Sequence, residues 1–168
     1  MMNNFYKIVL IIFVAIFGFT PAIAQDVVLQ AGVTVEELPK AIFGNWSVKA
    51  KIVDSTNYKQ FKPKSTDLWN LSRNGDVLNL SNPFTGANAD VSINAAEGNV
   101  VSFTRVVDFD NKRLTDIVII RLEDKTFSGI NNIKLEQHSL LDGHVIKTDT
   151  ARYEIKGEKI SGGNILEN

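Results

Sequence analysis

The sequence predicts an all-β protein in which roughly eight antiparallel strands close into an up-and-down barrel, preceded by a short helical turn. Two observations support this fold class. From Trp46 onward, apolar and polar residues alternate with a period of two, which is typical of strands that bury one face. Turn signals such as Asn74-Gly75 and Asp110-Asn111 separate the alternating segments, so consecutive strands are expected to be antiparallel neighbours.

The unpaired edges of an open sheet are the reason to expect closure into a barrel. A meander of about eight strands has two long unpaired edge strands, and closing the sheet on itself removes both of them. A sandwich of two packed sheets is the alternative, because strand periodicity alone does not separate the two architectures.

Residues 1–24 have the three parts of a secretory signal peptide. Lys7 gives a positive first part, Ile8 to Phe19 form an apolar core, and Ala22-Ile23-Ala24 fits the small-x-small cleavage rule. The apolar core is shorter than the roughly 20 residues of a spanning helix, so no membrane span is expected after cleavage. We expect an exported, soluble protein in a periplasm or outside the cell. It is not expected to be a lipoprotein, because Gln25 occupies the first mature position instead of cysteine.

The remaining chain divides into three parts. Residues 25–43 are an N-terminal segment with a short helix, because Thr34 and Glu37 match a capping box. Residues 44–156 are expected to form the barrel. Residues 157–168, rich in Gly, Lys, Glu and Asn, are expected to form a C-terminal tail.

Charge and composition limit the classes of function. The net charge is −1 at pH 7, which is too close to balance to indicate a nucleic-acid partner. The chain has no cysteine, so thiolate catalysis, cysteine-ligated metal and disulfides are excluded. We expect no cofactor and no bound metal.

The turn signals also set the strand registers. Each two-residue turn fixes which residues face each other across the hairpin, and apolar residues should face apolar residues on the buried side. The predicted pairs are Leu71 with Leu78 and Trp69 with Leu80 around Asn74-Gly75, Val107 with Leu114 and Phe103 with Val118 around Asp110-Asn111, and Leu122 with Phe127 and Leu114 with Leu135 around Asp124-Lys125.

Gly44-Asn45-Trp46 stands at the start of the first strand, directly after the short helical segment. This tripeptide resembles the G-x-W motif of lipocalins and the wider calycin group. In that family the Trp lies inside the closed end of an eight-stranded barrel, and an Arg near the end of the last strand packs across it; Arg152 is positioned to match. The resemblance covers Leu38 to about Lys156. It implies that Gly44, Trp46 and Arg152 close one end of the barrel, and that function lies toward the other end.

The predicted registers place polar residues on the apolar face. Arg105 falls opposite Asp116, while Asn131 falls opposite Val118, diagonal to the aspartate. A buried charge costs several kcal/mol unless it is paired, and the opposed Arg and Asp can satisfy each other. Such a cluster in a cavity would orient a carboxylate, hydroxyl or carbonyl of a ligand. The alternatives are a structural ion pair that fixes the register, or a pair near the rim, in water, that contributes little to stability.

Two functional hypotheses follow. The first is a lipocalin-like protein that binds a small, mostly apolar or amphipathic molecule inside the barrel, without catalysis. The second is a protein-interaction or structural envelope module with a packed barrel and no ligand, whose protein partner the sequence does not identify. For the first hypothesis, the candidate ligand-binding residues are Ile52, Trp69, Leu80, Phe103, Arg105, Asp116, Val118 and Asn131.

Signals for an enzyme are weak. The two histidines, His138 and His144, flank one predicted hairpin loop, with Ser139 and Asp142 beside them. Residues this close in one exposed loop rarely adopt the geometry of a triad, and the chain has no nucleophile elbow. We therefore predict that the protein is not an enzyme.

Overall fold

The computed structural model describes residues 33–161, so the predicted leader lies outside the described residues. These residues form an all-β barrel of eight antiparallel strands in chain order, in which the last strand pairs with the first. The predicted up-and-down barrel is confirmed, and the alternative sandwich is wrong. The strands are β1 Gly44–Ser55, β2 Lys64–Asn74, β3 Val77–Asn82, β4 Ala87–Glu97, β5 Val100–Phe109, β6 Lys112–Glu123, β7 Thr126–His138 and β8 Val145–Ser161.

Two short 3₁₀ turns, Val35–Glu37 and Lys40–Ile42, precede β1 within the described residues. The first begins at the predicted capping box, where the backbone N–H of Thr34 donates a hydrogen bond to the Glu37 carboxylate at 2.9 Å. Val35, Leu38 and Ile42 of this segment are buried in the core. The segment therefore covers the end of the barrel at which β1 begins.

The structure confirms the predicted registers of the second and third hairpins. Val107 pairs with Leu114, and Leu122 pairs with Phe127. Each turn places an aspartate at positive φ, Asp110 at 52° and Asp124 at 49°, as the mirror-image hairpin turns require. The whole of β6 is thereby fixed between its two neighbours.

The first hairpin differs from the prediction by two residues. Leu71 pairs with Leu80 instead of Leu78, and Asn74 pairs with Val77. The turn is centred on Gly75 and Asp76, because only Gly75 has positive φ (59°), which suits a turn with glycine first. A two-residue slip leaves every side chain on its predicted face, since the side-chain period is two.

Strand β8 continues to Ser161, beyond the boundary with the tail that we expected at Lys156. It continues because Gly157 is hydrogen-bonded in register between Val48 of β1 and Phe127 of β7. A Cβ atom at Gly157 would overlap the Phe127 ring, so glycine permits this close approach. Residues 157–161 are therefore part of the barrel seam.

Replacing Gly157 with alanine should lower the free energy of unfolding by about 1 to 3 kcal/mol, because the ring and the strand have to move apart. Urea denaturation measures this loss. Lys156→Ala, at the exposed neighbouring position, is the control and should leave stability nearly unchanged. Equal stability of the two variants would contradict the close contact.

The two ends of the barrel differ in character. The closed end, where β1 begins, is filled by aromatic side chains. The other end carries four loops, residues 56–63, 83–86, 110–111 and 139–144, which we call the mouth. Between the aromatic end and the mouth, the inward face carries several polar residues. The buried polar and charged residues are Asn82, Asp116, Asn131 and Asp149.

Candidate ligand site inside the barrel

Trp46 is packed inside the barrel end at which β1 begins. Its side chain is fully buried, its indole N–H donates to the Ile42 carbonyl at 2.8 Å, and its ring centroid is 5.0 Å from that of Phe127. Gly44, also buried, has a φ of 127°, a conformation that favours glycine. Both residues therefore have structural roles at the closed end.

The cation beside Trp46 is Lys159, not Arg152 as predicted. The Lys159 ammonium lies 5.2 Å from the Trp46 ring centroid and donates to the Ala41 carbonyl at 2.9 Å. Desolvation by burial lowers the pKa of Lys159. This ammonium therefore joins the last strand to the 3₁₀ segment over the indole.

Arg152 lies elsewhere because of strand length and side-chain parity. It pairs with Asp54 near the far end of β1, and its side chain points outward into solvent. Odd-numbered residues of β8, including Tyr153, face inward. Because β8 is longer than expected, the residue that meets Trp46 is Lys159.

The predicted aromatic ligand contacts, Trp69 and Phe103, belong to the same packed cluster. Trp69 lies 5.8 Å from Phe127 and 6.4 Å from Phe103 between ring centroids, and both predicted residues are at most 1% exposed. Val118 pairs with Phe103 and is buried with it. These residues fill the closed end, so they would form the floor of any interior site.

The other predicted apolar contacts lie apart from this cluster. Leu80 is buried on β3 between Leu71 of β2 and Ala89 of β4. Ile52 is partly buried on β1, where it pairs with Tyr153 of β8. Both side chains face the interior as predicted, on different walls of the barrel.

The predicted polar cluster comes together as the registers required. Arg105 pairs with Asp116, and its Nε donates to the Asp116 carboxylate at 2.7 Å, with a second hydrogen bond from Nη2. Asn131 pairs with Val118 and donates from Nδ2 to the other oxygen of Asp116 at 3.4 Å. The Asp116 side chain is 2% exposed and that of Arg105 is 13% exposed. The ion pair is thus nearly removed from water.

Sequence reasoning missed a second carboxylate at this site. Asp67 of β2 faces inward, accepts hydrogen bonds from the Leu68 backbone N–H at 2.9 Å and from the Asn82 amide, and senses the positive charge of Arg105. Burial raises the pKa of both Asp67 and Asp116, while Arg105 opposes the rise in each. The Arg105 guanidinium therefore acts on two carboxylates, on Asp116 through hydrogen bonds and on Asp67 through its charge. The alternation along β2 identifies Asp67 as inward-facing, because it stands two residues before the buried Trp69.

Three buried polar atoms have no hydrogen-bond partner among the described residues: Asn131 Oδ1, Trp69 Nε1 and Ser65 Oγ. Asn131 Oδ1 belongs to the polar cluster, because the same amide group donates to Asp116. Asn131 is 1% exposed and pairs with Tyr153, whose phenol has its pKa raised by burial. An unsatisfied buried acceptor costs about 1 to 3 kcal/mol, so Asn131 Oδ1 is suited to a hydrogen-bond donor that enters the interior.

Near the mouth, Asp149 of β8 connects this strand to the β1–β2 loop. Asn57 donates to its carboxylate at 3.3 Å and Lys147 at 2.5 Å. A small cavity of about 40 Å³ lies beside these groups, with room for a water molecule. The cavity is lined by Gln60, Lys112, Leu135, Gln137, Lys147 and Asp149.

The two histidines form hydrogen bonds at the β7–β8 loop, His138 from the end of β7 and His144 from the loop itself. His138 Nδ1 lies 2.8 Å from the Gly143 carbonyl, and His144 Nδ1 lies 2.5 Å from the Asp142 carboxylate.

Across residues 33–161, no group of three or more His, Asp or Glu side chains is arranged to hold a metal ion. No helix in that same range is long and apolar enough to cross a membrane.

The fold and the interior define a class: a closed eight-stranded antiparallel barrel with an aromatic end and a buried polar cluster, compatible with a lipocalin-like fold. Comparison with known proteins gives no match, since no family model fits the chain and no curated protein or solved structure is significantly similar to it. The lipocalin resemblance therefore depends on the barrel and on Gly44-Asn45-Trp46.

Proposed function

We propose that this protein is an exported, non-enzymatic, lipocalin-like barrel that binds a small amphipathic molecule in its interior. The unpartnered Oδ1 atom of Asn131 carries this proposal, because it is a buried acceptor beside the ion pair of Arg105 and Asp116. A hydroxyl or amide N–H of a ligand would satisfy it. The apolar body of the ligand would then lie against inward side chains such as Leu80 and Ile52.

The charged groups of the interior further limit the chemical class of the proposed ligand. Two carboxylates, Asp67 and Asp116, share the charge of Arg105, and both have pKa values raised by burial. An anionic group inside the barrel would meet this partly uncompensated negative charge. We therefore propose a neutral, hydrogen-bond-donating polar group on the ligand.

The test compares adjacent asparagines on β7. Asn131→Leu removes the inward acceptor, whereas Asn132→Leu alters an exposed position on the same strand. Native mass spectrometry of protein purified from its own host should show a small molecule bound to the wild type and to Asn132→Leu. We expect at least a tenfold lower bound fraction in Asn131→Leu, as the loss of one buried hydrogen bond predicts.

Retention of the molecule by Asn131→Leu would contradict the site. A clean mass for the wild type, with no uptake of apolar dyes, would favour the second candidate function, a packed protein-interaction module in the cell envelope. The aromatic packing of Trp46, Trp69 and Phe127 supports that alternative, because it fills the closed end of the barrel. Circular dichroism of both variants establishes that the barrel remains folded.

A further inference from the structure

The mouth of the barrel carries large apolar side chains in solvent. Leu140 is 87% exposed, Leu141 is 96% exposed, Phe84 is 85% exposed and Tyr58 is 59% exposed. Each belongs to one of the mouth loops. Single exposed apolar residues are common, but several nearly uncovered ones at one end of a molecule mark an interaction surface.

The loop that carries the two leucines has a fixed backbone. The Ser139 N–H donates to the His144 carbonyl at 2.8 Å, the Gly143 N–H donates to the Ser139 carbonyl at 3.0 Å, and the Leu141 N–H donates to Ser139 Oγ at 3.2 Å. These hydrogen bonds hold the loop while the leucine side chains project away from the barrel. The exposure is therefore built into the loop conformation.

The apolar tips stand on opposite sides of the mouth. In the closed order of strands, the β3–β4 loop with Phe84 and the β7–β8 loop with the leucines are separated by four strands in either direction. The β1–β2 loop with Tyr58 contacts β8, since the Thr56 N–H donates to the Thr150 carbonyl at 3.0 Å. A partner that covers every tip must span the mouth and accept separate projections. A lipid layer does so because its acyl chains rearrange around each side chain.

Charges on the β1–β2 loop fit a lipid surface. Lys59 and Lys62 are exposed on the β1–β2 loop beside Tyr58, where ammonium groups can reach phosphate headgroups. The acidic side chain of the leucine loop, Asp142, is bonded to His144. The other acidic residue in the mouth is Asp110, in the short β5–β6 turn. Basic side chains therefore lie beside an exposed aromatic residue on the β1–β2 loop, and the two acidic residues of the mouth loops lie on other loops.

We propose that the mouth docks on a phospholipid bilayer, with Leu140, Leu141 and Phe84 entering the acyl region and Lys59 and Lys62 facing the headgroups. This inference goes beyond the proposed ligand binding and does not depend on it. Docking would hold the opening of the barrel against the membrane surface.

The test is co-sedimentation of the protein with vesicles made from equal parts of phosphatidylcholine and phosphatidylglycerol. The mouth variant combines Leu140→Ser, Leu141→Ser and Phe84→Ser. The wild type should sediment with the vesicles, and the mouth variant should bind at least about tenfold more weakly, because each removed side chain contributes buried apolar area. The matched control variant replaces three apolar residues exposed away from the mouth, Ile117, Ile119 and Ile160, with serine, and should bind like the wild type.

Wild-type protein that stays in the supernatant, or a mouth variant that sediments like the wild type, would overturn the proposal. So would a wild-type dimer, seen by sedimentation velocity without vesicles, that the mouth variant loses, because the leucines would then join two copies of the chain. Thermal melting checks that each variant folds, and Leu141→Ser alone serves if the triple variant does not. Weaker binding of Lys59→Gln/Lys62→Gln only to vesicles that contain phosphatidylglycerol would support the headgroup contacts.

Discussion

Arg105→Met should lower the free energy of unfolding by about 3 to 5 kcal/mol at neutral pH, the usual effect of removing one partner of a buried ion pair. The Asp116 carboxylate is 2% exposed and depends on Arg105 for its charge-assisted hydrogen bonds. In the variant, the hydrogen bond from Asn131 at 3.4 Å would remain. One long, neutral bond does not compensate a carboxylate in this environment.

The loss should depend on pH. Burial raises the pKa of Asp116, and Arg105 opposes that rise, so removing Arg105 raises this pKa further. A carboxyl with a raised folded-state pKa gives its full stability contribution below the ordinary pKa of 3.8 and loses it as pH rises through the folded-state pKa. As pH falls, Asp116 takes up a proton in the variant first and then in the wild type. The stability difference between wild type and Arg105→Met should therefore shrink as pH falls toward the ordinary pKa of 3.8.

Urea denaturation over a range of pH measures both effects. The double variant Arg105→Met/Asp116→Leu should recover most of the stability, because it leaves no unpaired charge. Arg113→Met is the matched control; its ion pair with Asp108 is exposed, so its removal should change stability little. A similar, pH-independent loss in both single variants would contradict a buried ion pair.

Most of the barrel was predictable because the residues that determine strand pairing are close together in the sequence. Alternation along each strand identifies the inward face, and Asp110 and Asp124 adopt the turn conformations that set two hairpin registers. The same turn at Asp110 brings Arg105 opposite Asp116, so this ion pair follows from the hairpin register alone. These features depend on pairing between adjacent strands, which turn chemistry determines.

The errors arose where several local solutions were nearly equivalent. In the first hairpin, Asn74-Gly75 and Gly75-Asp76 both suit a tight turn and both bury Leu71, so periodicity did not separate them. At the seam, the length of β8 depends on contacts with β1 and β7 that are far apart in the chain. Lys159, rather than Arg152, therefore lies over Trp46.

The candidate site was predictable only in part. The charge of Arg105 acts to lower the pKa of Asp67 although their strands, β5 and β2, are not neighbours in the sheet. The unpartnered atom of Asn131 depends on which way its amide turns after all adjacent side chains have packed. Strand pairing does not specify either feature, because both arise inside the closed barrel.

Phe127→Ala should lower the free energy of unfolding by about 3 to 5 kcal/mol, because it removes a large side chain from a packed core. The Phe127 side chain is 2% exposed and its ring lies 5.0 Å from that of Trp46 and 5.8 Å from that of Trp69. Gly157 leaves the backbone of β8 against the same ring. The phenyl group therefore connects the 3₁₀ segment, the seam and the floor of the proposed site.

Tryptophan fluorescence during urea denaturation measures this loss directly, since the two tryptophans of the chain are the neighbours of Phe127. Phe84→Ala is the control, because the Phe84 side chain is 85% exposed and its removal should change stability by no more than about 0.5 kcal/mol. Equal stability of the two variants would show that the aromatic cluster does not hold the closed end. A large loss at Phe127 alone would show that the aromatic cluster stabilises the closed end of the barrel.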